Sequence, residues 1–397
     1  MDNIKKQGFH TVNTNVDELD EKIKKHRRKI FFRTLLVVLL LLIVSGGVFG
    51  YFYFKTYTDY RVVSEIEKTD NSGTKYVEYG DGVISYNHDG AAYYQLNGTM
   101  IWNQAFEMQN PRIDICEGYA AIYDESGEYI YIMNQNGKQG VIETNKIIRK
   151  ASVANQGTVA VLTRMEKGNY LDLYAKDGTS LASGTLRAGN SGNPIAISLS
   201  NNANKLAVSM IDIEQGQVNS SVIFYNFGAV GQNEIDNIVG SYQYSDTLIP
   251  QLDFVTNDKL LAFGDDKILI FEGTQKPEVT RMIELVNQVD SVFVSDRAFG
   301  LITEGSTTQN AKLLQVYDLN GNLDLEKEFG MDYSSVSFLD GGQVCIKSDL
   351  ECMIFSRGGI EKFHFNFEEE IFYIFSDRWG FQYTFVFTDK IQKIRLS

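Results

Sequence analysis

Seven glycines, at positions 98, 137, 178, 228, 273, 321 and 358, recur at spacings of 39, 41, 50, 45, 48 and 37 residues, a mean near 43. Each ends a short apolar or aromatic run: YYQLNG, YIMNQNG, LYAKDG, FYNFG, IFEG, VYDLNG and IFSRGG. Asn-Gly and Asp-Gly between apolar runs read as hairpins, because the central residues of such turns take positive φ. The other half of the unit is a strand, a polar turn and a second apolar strand. It recurs as KYVEYGDGVISY (75–86), DICEGYAAIY (114–123), SVANQGTVAVL (152–162) and SLSNNANKLAVS (198–209). Four further copies are DFVTNDKLLAF (253–263), VFVSDRAFGLI (292–302), SFLDGGQVCIK (337–347) and YIFSDRWGFQY (373–383).

A period of about 40–45 residues with four strands per unit is what propeller blades show. A four-stranded sheet alone leaves two apolar faces in water, and packing blades around an axis buries both. The expected fold is therefore all-β, an eight-bladed β-propeller, with seven blades as the alternative. The last unit, from about Glu370, has room for only three strands. RVVSEIEK (61–68) is expected to supply the fourth, closing the ring and removing the sheet edges that invite aggregation. Scarce proline (4) beside plentiful glycine (34), tyrosine (22) and phenylalanine (25) fits short strands joined by glycine turns. Two β-sandwiches are the competing arrangement, and seven turn glycines in register weigh against it.

Ahead of the repeats lies LLVVLLLLIVSGGVFGYFYF, residues 35–54, twenty residues without a charge. A helix of that length spans about 30 Å, the thickness of a hydrocarbon core. Its apolar half is Leu35, Leu36, Val37, Val38, Leu39, Leu40, Leu41, Leu42, Ile43 and Val44. Arg27, Arg28, Lys29 and Arg33 precede it and only Lys55 follows closely, so the positive-inside bias puts the N-terminus in the cytoplasm. Tyr51, Phe52 and Tyr53 sit where an outer aromatic belt is expected. Asn15 can cap a helix that continues into the span, with Glu18 three positions on and acid-to-base pairs such as Glu18–Lys22. A cleaved signal peptide is the rival reading, opposed by the long charged leader and the lack of an A-x-A site. The chain thus divides into a cytoplasmic tail with a basic juxtamembrane helix (1–30), a signal-anchor span (31–54), a linker (55–60) and an extracytoplasmic propeller (61–397).

Charge follows the same division. Residues 1–33 carry nine Lys/Arg against five Asp/Glu, and the remainder 28 against 46. An acidic ectodomain lacks the clustered Lys and Arg that phosphate neutralisation needs, which excludes nucleic acid as a partner.

Motifs for chemistry are sparse. His10 and His26 belong to the tail, and His88 and His364 lack ligand spacing such as H-x-x-x-H. No G-x-S-x-G elbow and no Walker-type loop is present. Asp124-Glu125-Ser126-Gly127-Glu128 and Asp318-Leu319-Asn320-Gly321-Asn322 offer clustered oxygens, but both read as hairpin turns, and no metal site or cofactor is expected. A two-residue turn at Ser348-Asp349 would set Cys345 directly opposite Cys352, allowing a cross-strand disulfide; buried thiols are the alternative. Cys116 is left unpaired.

The basic stub, single span and propeller, with turns such as YQLNGT (94–99) and VYDLNGN (316–322), resemble a family of Gram-positive membrane proteins with WD40-like or quinoprotein-like propellers, a domain of unknown function. The resemblance implies a propeller at the cell envelope and assigns no site residue. The Gly-His and Trp-Asp pairs of WD40 repeats are absent, and Asn97-Gly98-Thr99-Met100-Ile101-Trp102 echoes only once the tryptophan-docking motif of quinone dehydrogenases; the other tryptophan is Trp379. The functional expectation is a non-catalytic scaffold at the cell membrane that binds an envelope protein, a peptide or a cell-wall glycan. The alternatives are a cofactor-binding or hydrolytic enzyme with its site at the central channel, and a sensor recruiting a cytoplasmic partner.

Overall fold

A computed structural model describes residues 16–68, 73–166, 168–186, 192–214, 216–306, 311–376 and 382–397. His10, Asn15 and Trp379 lie outside the described residues, as does part of the repeat at 373–383.

The first unit is one helix, α1, Val16–Phe54, continuous from the basic segment into the apolar run. Its stretch Asp20–Phe54 is long and apolar enough to cross a membrane, and none of that window is buried within the protein. The Arg28 guanidinium lies 5.8 Å from the centre of the Phe32 ring one turn on.

The second unit, Tyr57–Ser397, contains eight four-stranded antiparallel sheets among the described residues. Blades 1 to 7 occupy 75–105, 111–143, 147–186, 193–245, 251–284, 289–329 and 335–366. In each, four consecutive strands, here a to d, lie side by side in order. The a strands of neighbouring blades pack on one another, so a lines the axis and d the rim. Blade 8 is built from both ends of the chain. Tyr373–Ser376, Gln382–Val386 and Lys390–Leu396 give a to c, and Tyr60–Glu67 pairs antiparallel with Lys390–Leu396 as d. The expected ring closure is what the structure shows. The expected 55–60 linker is shorter: Tyr57 bridges to Phe363 and is buried, and Tyr60 already pairs with Leu396.

Eight apolar clusters hold the ring, one at each seam between blades. The 7–8 seam is a phenylalanine stack in which Phe367 lies 4.9 Å from Phe385 and 5.4 Å from Phe387, centre to centre. Full burial of such a side chain contributes about 1.5–3 kcal/mol. Among the described residues the 8–1 seam is the thinnest. Its buried core is Val83, Phe375 and Val386, beside a cavity of about 200 Å³ lined by Ile66, Tyr76, Leu96 and Ile391. At the 4–5 seam a lysine reinforces the packing: Lys205, 1% exposed, places Nζ 2.5 Å from Asp258 Oδ1 and 2.8 Å from the Thr274 carbonyl.

The turn glycines hold in most blades. Gly98, Gly137, Gly178 and Gly321 have positive φ, and in blade 7 the role falls to Gly359 rather than Gly358. In blade 2 Asn134 pairs with Gly137 across the two-residue turn Gln135-Asn136, but the other c–d turns are longer. In blade 3, for example, the Ala175 N–H bonds the Thr179 carbonyl and the Gly178 N–H the Ala175 carbonyl, with a register shift at Leu173/Tyr174. The c–d pairs of all seven first blades shift at the equivalent point. Each shift leaves one d-strand residue out of the pairing just beyond the turn, Leu181 in blade 3 and Ile101 in blade 1 for example, and such a bulge adds twist that helps the sheet wrap the axis. Blade 4 departs most, replacing the tight turn at Gly228 with a loop of two 3₁₀ turns, Gly231–Asn233 and Ile235–Asn237.

The thin 8–1 seam predicts that the ring opens there first. In native-state hydrogen exchange, amides of 60–67 and 382–396 should exchange faster than those of blades 3 to 5. Equal protection around the ring would contradict this.

Candidate functional site

Strand direction alternates within each blade, so the a–b and c–d loops gather on one face of the ring and the b–c and d–a loops on the other. Along the axis, a polar side chain on one a strand repeatedly reaches the backbone of the next. Val153 N–H donates to Asp114 Oδ2 (2.7 Å), Leu199 N–H to Ser152 Oγ (3.1 Å) and Phe254 N–H to Ser198 Oγ (2.8 Å). These acceptors are the opening residues of the repeat copies at 114, 152 and 198. Asp253 opens the next copy and accepts instead from Gln251 Nε2 at 2.7 Å. The Asp/Ser at that position was visible in the sequence, but nothing there said that it joins blades.

The channel these strands surround is acidic at its centre. Asp114 lines it deep inside the protein; burial pushes its carboxyl up to about 7, with Asp253 adding to the rise while the Val153 N–H, Ser152 and Lys150 oppose it. Asp253 is also raised, chiefly by burial, against the pull of Gln251 and Lys150. These residues belong to blades 2, 3 and 5, so their charges meet across the axis rather than within a sheet.

At the a–b/c–d face the channel mouth opens into a cavity of about 280 Å³. Glu78, at the end of the blade 1 a strand, reaches it from one side. The a–b loop of blade 7 contributes Asp340, and the equivalent loop of blade 6 contributes Asp296 and Arg297. Asp324 and Arg357 stand at the outer end, on the two sides of the 6–7 seam. Burial, then the neighbouring Asp340, pushes the Glu78 carboxyl from 4.5 to about 7. The Tyr373 hydroxyl of blade 8 hydrogen-bonds the Glu78 backbone and is itself pushed up by burial.

Other residues singled out in the sequence fall elsewhere. His88 bonds the Met108 carbonyl through Nδ1 (2.9 Å), and His364 Nε2 meets Glu351 Oε1 (2.5 Å) on an outer strand, so neither reaches the axis. The acidic turns serve the backbone: Asp124 accepts from the N–H groups of Gln109 and Asn110, and Asp318 Oδ1 from those of Asn320 and Asn322. Among the described residues no group of three or more His, Cys, Asp or Glu has metal-binding geometry. Trp102 does dock on the next blade, its indole N–H donating to the Asn134 carbonyl at 3.0 Å.

The cysteine register is corrected by one turn position. Ser348 N–H bonds the Glu351 carbonyl, making Asp349-Leu350 the turn, so Cys352 faces Lys347 and Cys345 faces Ile354. The two cysteines become diagonal neighbours on one face, buried free thiols with sulfurs 3.9 Å apart. Burial, followed by the Cys345 contact, raises the Cys352 thiol. Burial also pushes the thiol of Cys116 up to about 12, which suppresses the reactive thiolate.

Eight closed four-stranded blades define an eight-bladed β-propeller. A family model matches residues 53–396, and the chain belongs to that family, the Family of unknown function (DUF5711). Among solved structures it is similar to the C-terminal WD40 domain of Sif2, at 11% identity and TM-score 0.57 over 86% of this chain and 100% of that one. Sqt1 of Saccharomyces cerevisiae gives 9% and 0.54 over 86% and 100%. BamB from Moraxella catarrhalis superposes more loosely, at 12% and 0.47 over 85% and 100%. These likenesses concern the fold. No curated protein sequence matches the chain.

Two predictions follow from the titrating groups. Folded Glu78 and Asp114 hold their protons up to about 7, whereas the unfolded chain releases them near 4.5 and 3.8. The folded state binds more protons between those values, so their contribution to stability is full below about pH 4 and is lost as pH rises through 7. Glu78→Gln and Asp114→Asn should each flatten that decline in denaturant midpoints taken from pH 4 to 8; a wild-type slope in both would contradict the assignment. For the diagonal cysteines, alkylation of the denatured, non-reduced protein should label all three thiols, since 3.9 Å is well beyond a disulfide bond of about 2.05 Å. Labelling of Cys116 alone would show that the pair closes in its native compartment.

Proposed function

We propose that the chain is a membrane-anchored binding scaffold: α1 spans the cell membrane with its N-terminus in the cytoplasm, and the propeller outside binds an envelope protein or peptide. The observation that carries this reading is the union in one chain of a helix with an unburied apolar stretch and a closed ring with a charged cavity at one end of its axis. The basic residues Arg27, Arg28, Lys29 and Arg33 on the N-terminal side of that stretch set the orientation through the positive-inside bias. A propeller presents its loops on a rigid frame, which suits recognition of another macromolecule. On the b–c/d–a face, the blade 4 hairpin of Lys205–Glu214 and Gln217–Asn226 holds Ile213 out to solvent at 68% exposure. A cell-wall glycan is the other ligand the polar loops would suit.

A second reading has its own observation. Glu78, Asp114 and Asp253 are carboxyls with raised pKa near one axis, a feature that also marks acid–base sites. Under that reading the propeller is a cofactor-binding or hydrolytic enzyme.

Crosslinking in intact cells, followed by purification through a C-terminal tag, separates the two. The scaffold reading expects a reproducible envelope protein or wall fragment, lost when residues 57–397 are deleted and α1 kept. External protease should also degrade the propeller in intact cells. A protected propeller, or a retained small molecule in place of a macromolecular partner, would overturn the reading.

A further inference from the structure

The cavity at the channel mouth is unevenly charged. Four carboxylates, Glu78, Asp296, Asp324 and Asp340, face two guanidiniums, Arg297 and Arg357. Both arginines are already opposed: Arg297 Nε lies 3.5 Å from Asp296 Oδ2, and Arg357 Nη2 lies 3.5 Å from Asp324 Oδ2. Glu78 and Asp340 remain, and neither carboxylate has a hydrogen bond or ion pair among the described residues. They come from blades 1 and 7 and are close enough for Asp340 to raise the proton affinity of Glu78. The wall between them and the outer arginine is apolar, made by Val316, Leu325, Phe338 and Val344.

We propose that this cavity receives the cationic side chain of a lysine or arginine presented by a polypeptide partner, its alkyl stem on the apolar wall and its charged head between Glu78 and Asp340. The proposal rests on the scaffold reading and adds the chemistry of the ligand. Three physical points favour this occupant. A long basic side chain is itself an apolar stem with a charged tip, the same division the lining shows. The volume, about 280 Å³, lies just below the range of pockets that enclose whole small molecules, and suits one inserted side chain. Calcium prefers six to eight oxygen ligands, whereas the unopposed groups here are two carboxylates. The acidic excess beyond residue 33, 46 against 28, would also speed the approach of a basic partner.

Binding should be coupled to pH. The groups facing Glu78 are Asp340 from blade 7, Tyr373 from blade 8, and the opposed pairs Asp296–Arg297 and Asp324–Arg357 from the 6–7 side. A cation entering between two carboxylates favours their ionised form, so affinity should rise as pH passes 7 and the complex should release a proton.

The test uses the full chain in nanodiscs with N-acetyl-lysine amide as probe and N-acetyl-norleucine amide as its uncharged counterpart, followed by ligand-observed NMR at pH 8. The lysine probe should bind with a Kd of about 1–10 mM, a scale suited to one side chain. The norleucine probe should bind at least about tenfold more weakly. Glu78→Gln with Asp340→Asn should weaken the lysine probe by about tenfold or more, equivalent to about 1.4 kcal/mol. Both changes are near-isosteric, and an unchanged circular-dichroism spectrum with a cooperative melt certifies the fold; Asp340→Asn alone, in an exposed loop, gives an independent reading. Equal binding of the two probes, unchanged binding in the double variant, no binding up to about 10 mM, or displacement by calcium alone at about 1 mM would each overturn the proposal. If the double variant still captures the cellular partner in the crosslinking experiment, the cavity assignment fails while the scaffold reading stands.

Discussion

Everything in the propeller depends on one strand pairing. Tyr60–Glu67 bonds to Lys390–Leu396, and without it the outer edge of blade 8 would be a row of open N–H and C=O groups. Among the described residues the other sheets are each made from one continuous segment, and here a covalently distant stretch completes the blade. The pairing runs from Tyr60 with Leu396 to Glu67 with Lys390, with one register shift near Val62. It holds Val83 of blade 1 close enough to meet Phe375 and Val386 of blade 8. Among the described residues the seam it secures has the smallest apolar core of the eight, so main-chain pairing carries there what phenylalanine packing carries at the 7–8 seam.

Polar contacts then set the geometry of the axis. Asp114, Ser152 and Ser198 each accept one backbone N–H of the following a strand, which fixes the angular step between blades more narrowly than apolar packing can. The same narrow axis withdraws carboxyls from water, and the raised proton affinities of Asp114, Asp253 and Glu78 are the cost of building a polar channel in a protein interior. The cavity at the mouth inherits that environment.

Much of the architecture was legible because a repeat states its fold many times. The glycine period, the opening residues of each copy and the spare strand at 61–68 all have a local signal, and each maps onto a structural element. The misplaced details are those decided by a single hydrogen bond. Whether the blade 7 turn is Ser348-Asp349 or Asp349-Leu350 depends on one Ser348 N–H, and that choice moves Cys352 from Cys345 to Lys347. The alternation of faces still placed both cysteines on one side, since a one-position change in a turn moves the partner by two residues. The cavity was not legible at all. Glu78, Arg297 and the pair Asp340 and Arg357 sit in three separate copies of the repeat, and only the curvature of the ring brings them together.

The closing pair also sets an order of events as the chain is made. Residues 60–67 emerge early and wait for residues 390–396, more than 300 positions later. At a synthesis rate of ~5–20 residues per second that interval is tens of seconds. During it, seven blades can form from contiguous sequence while the first strand stays unpaired. A ribosome stall or truncation between residues 366 and 390 would therefore leave seven finished blades that cannot become a ring, an open arc rather than a smaller propeller.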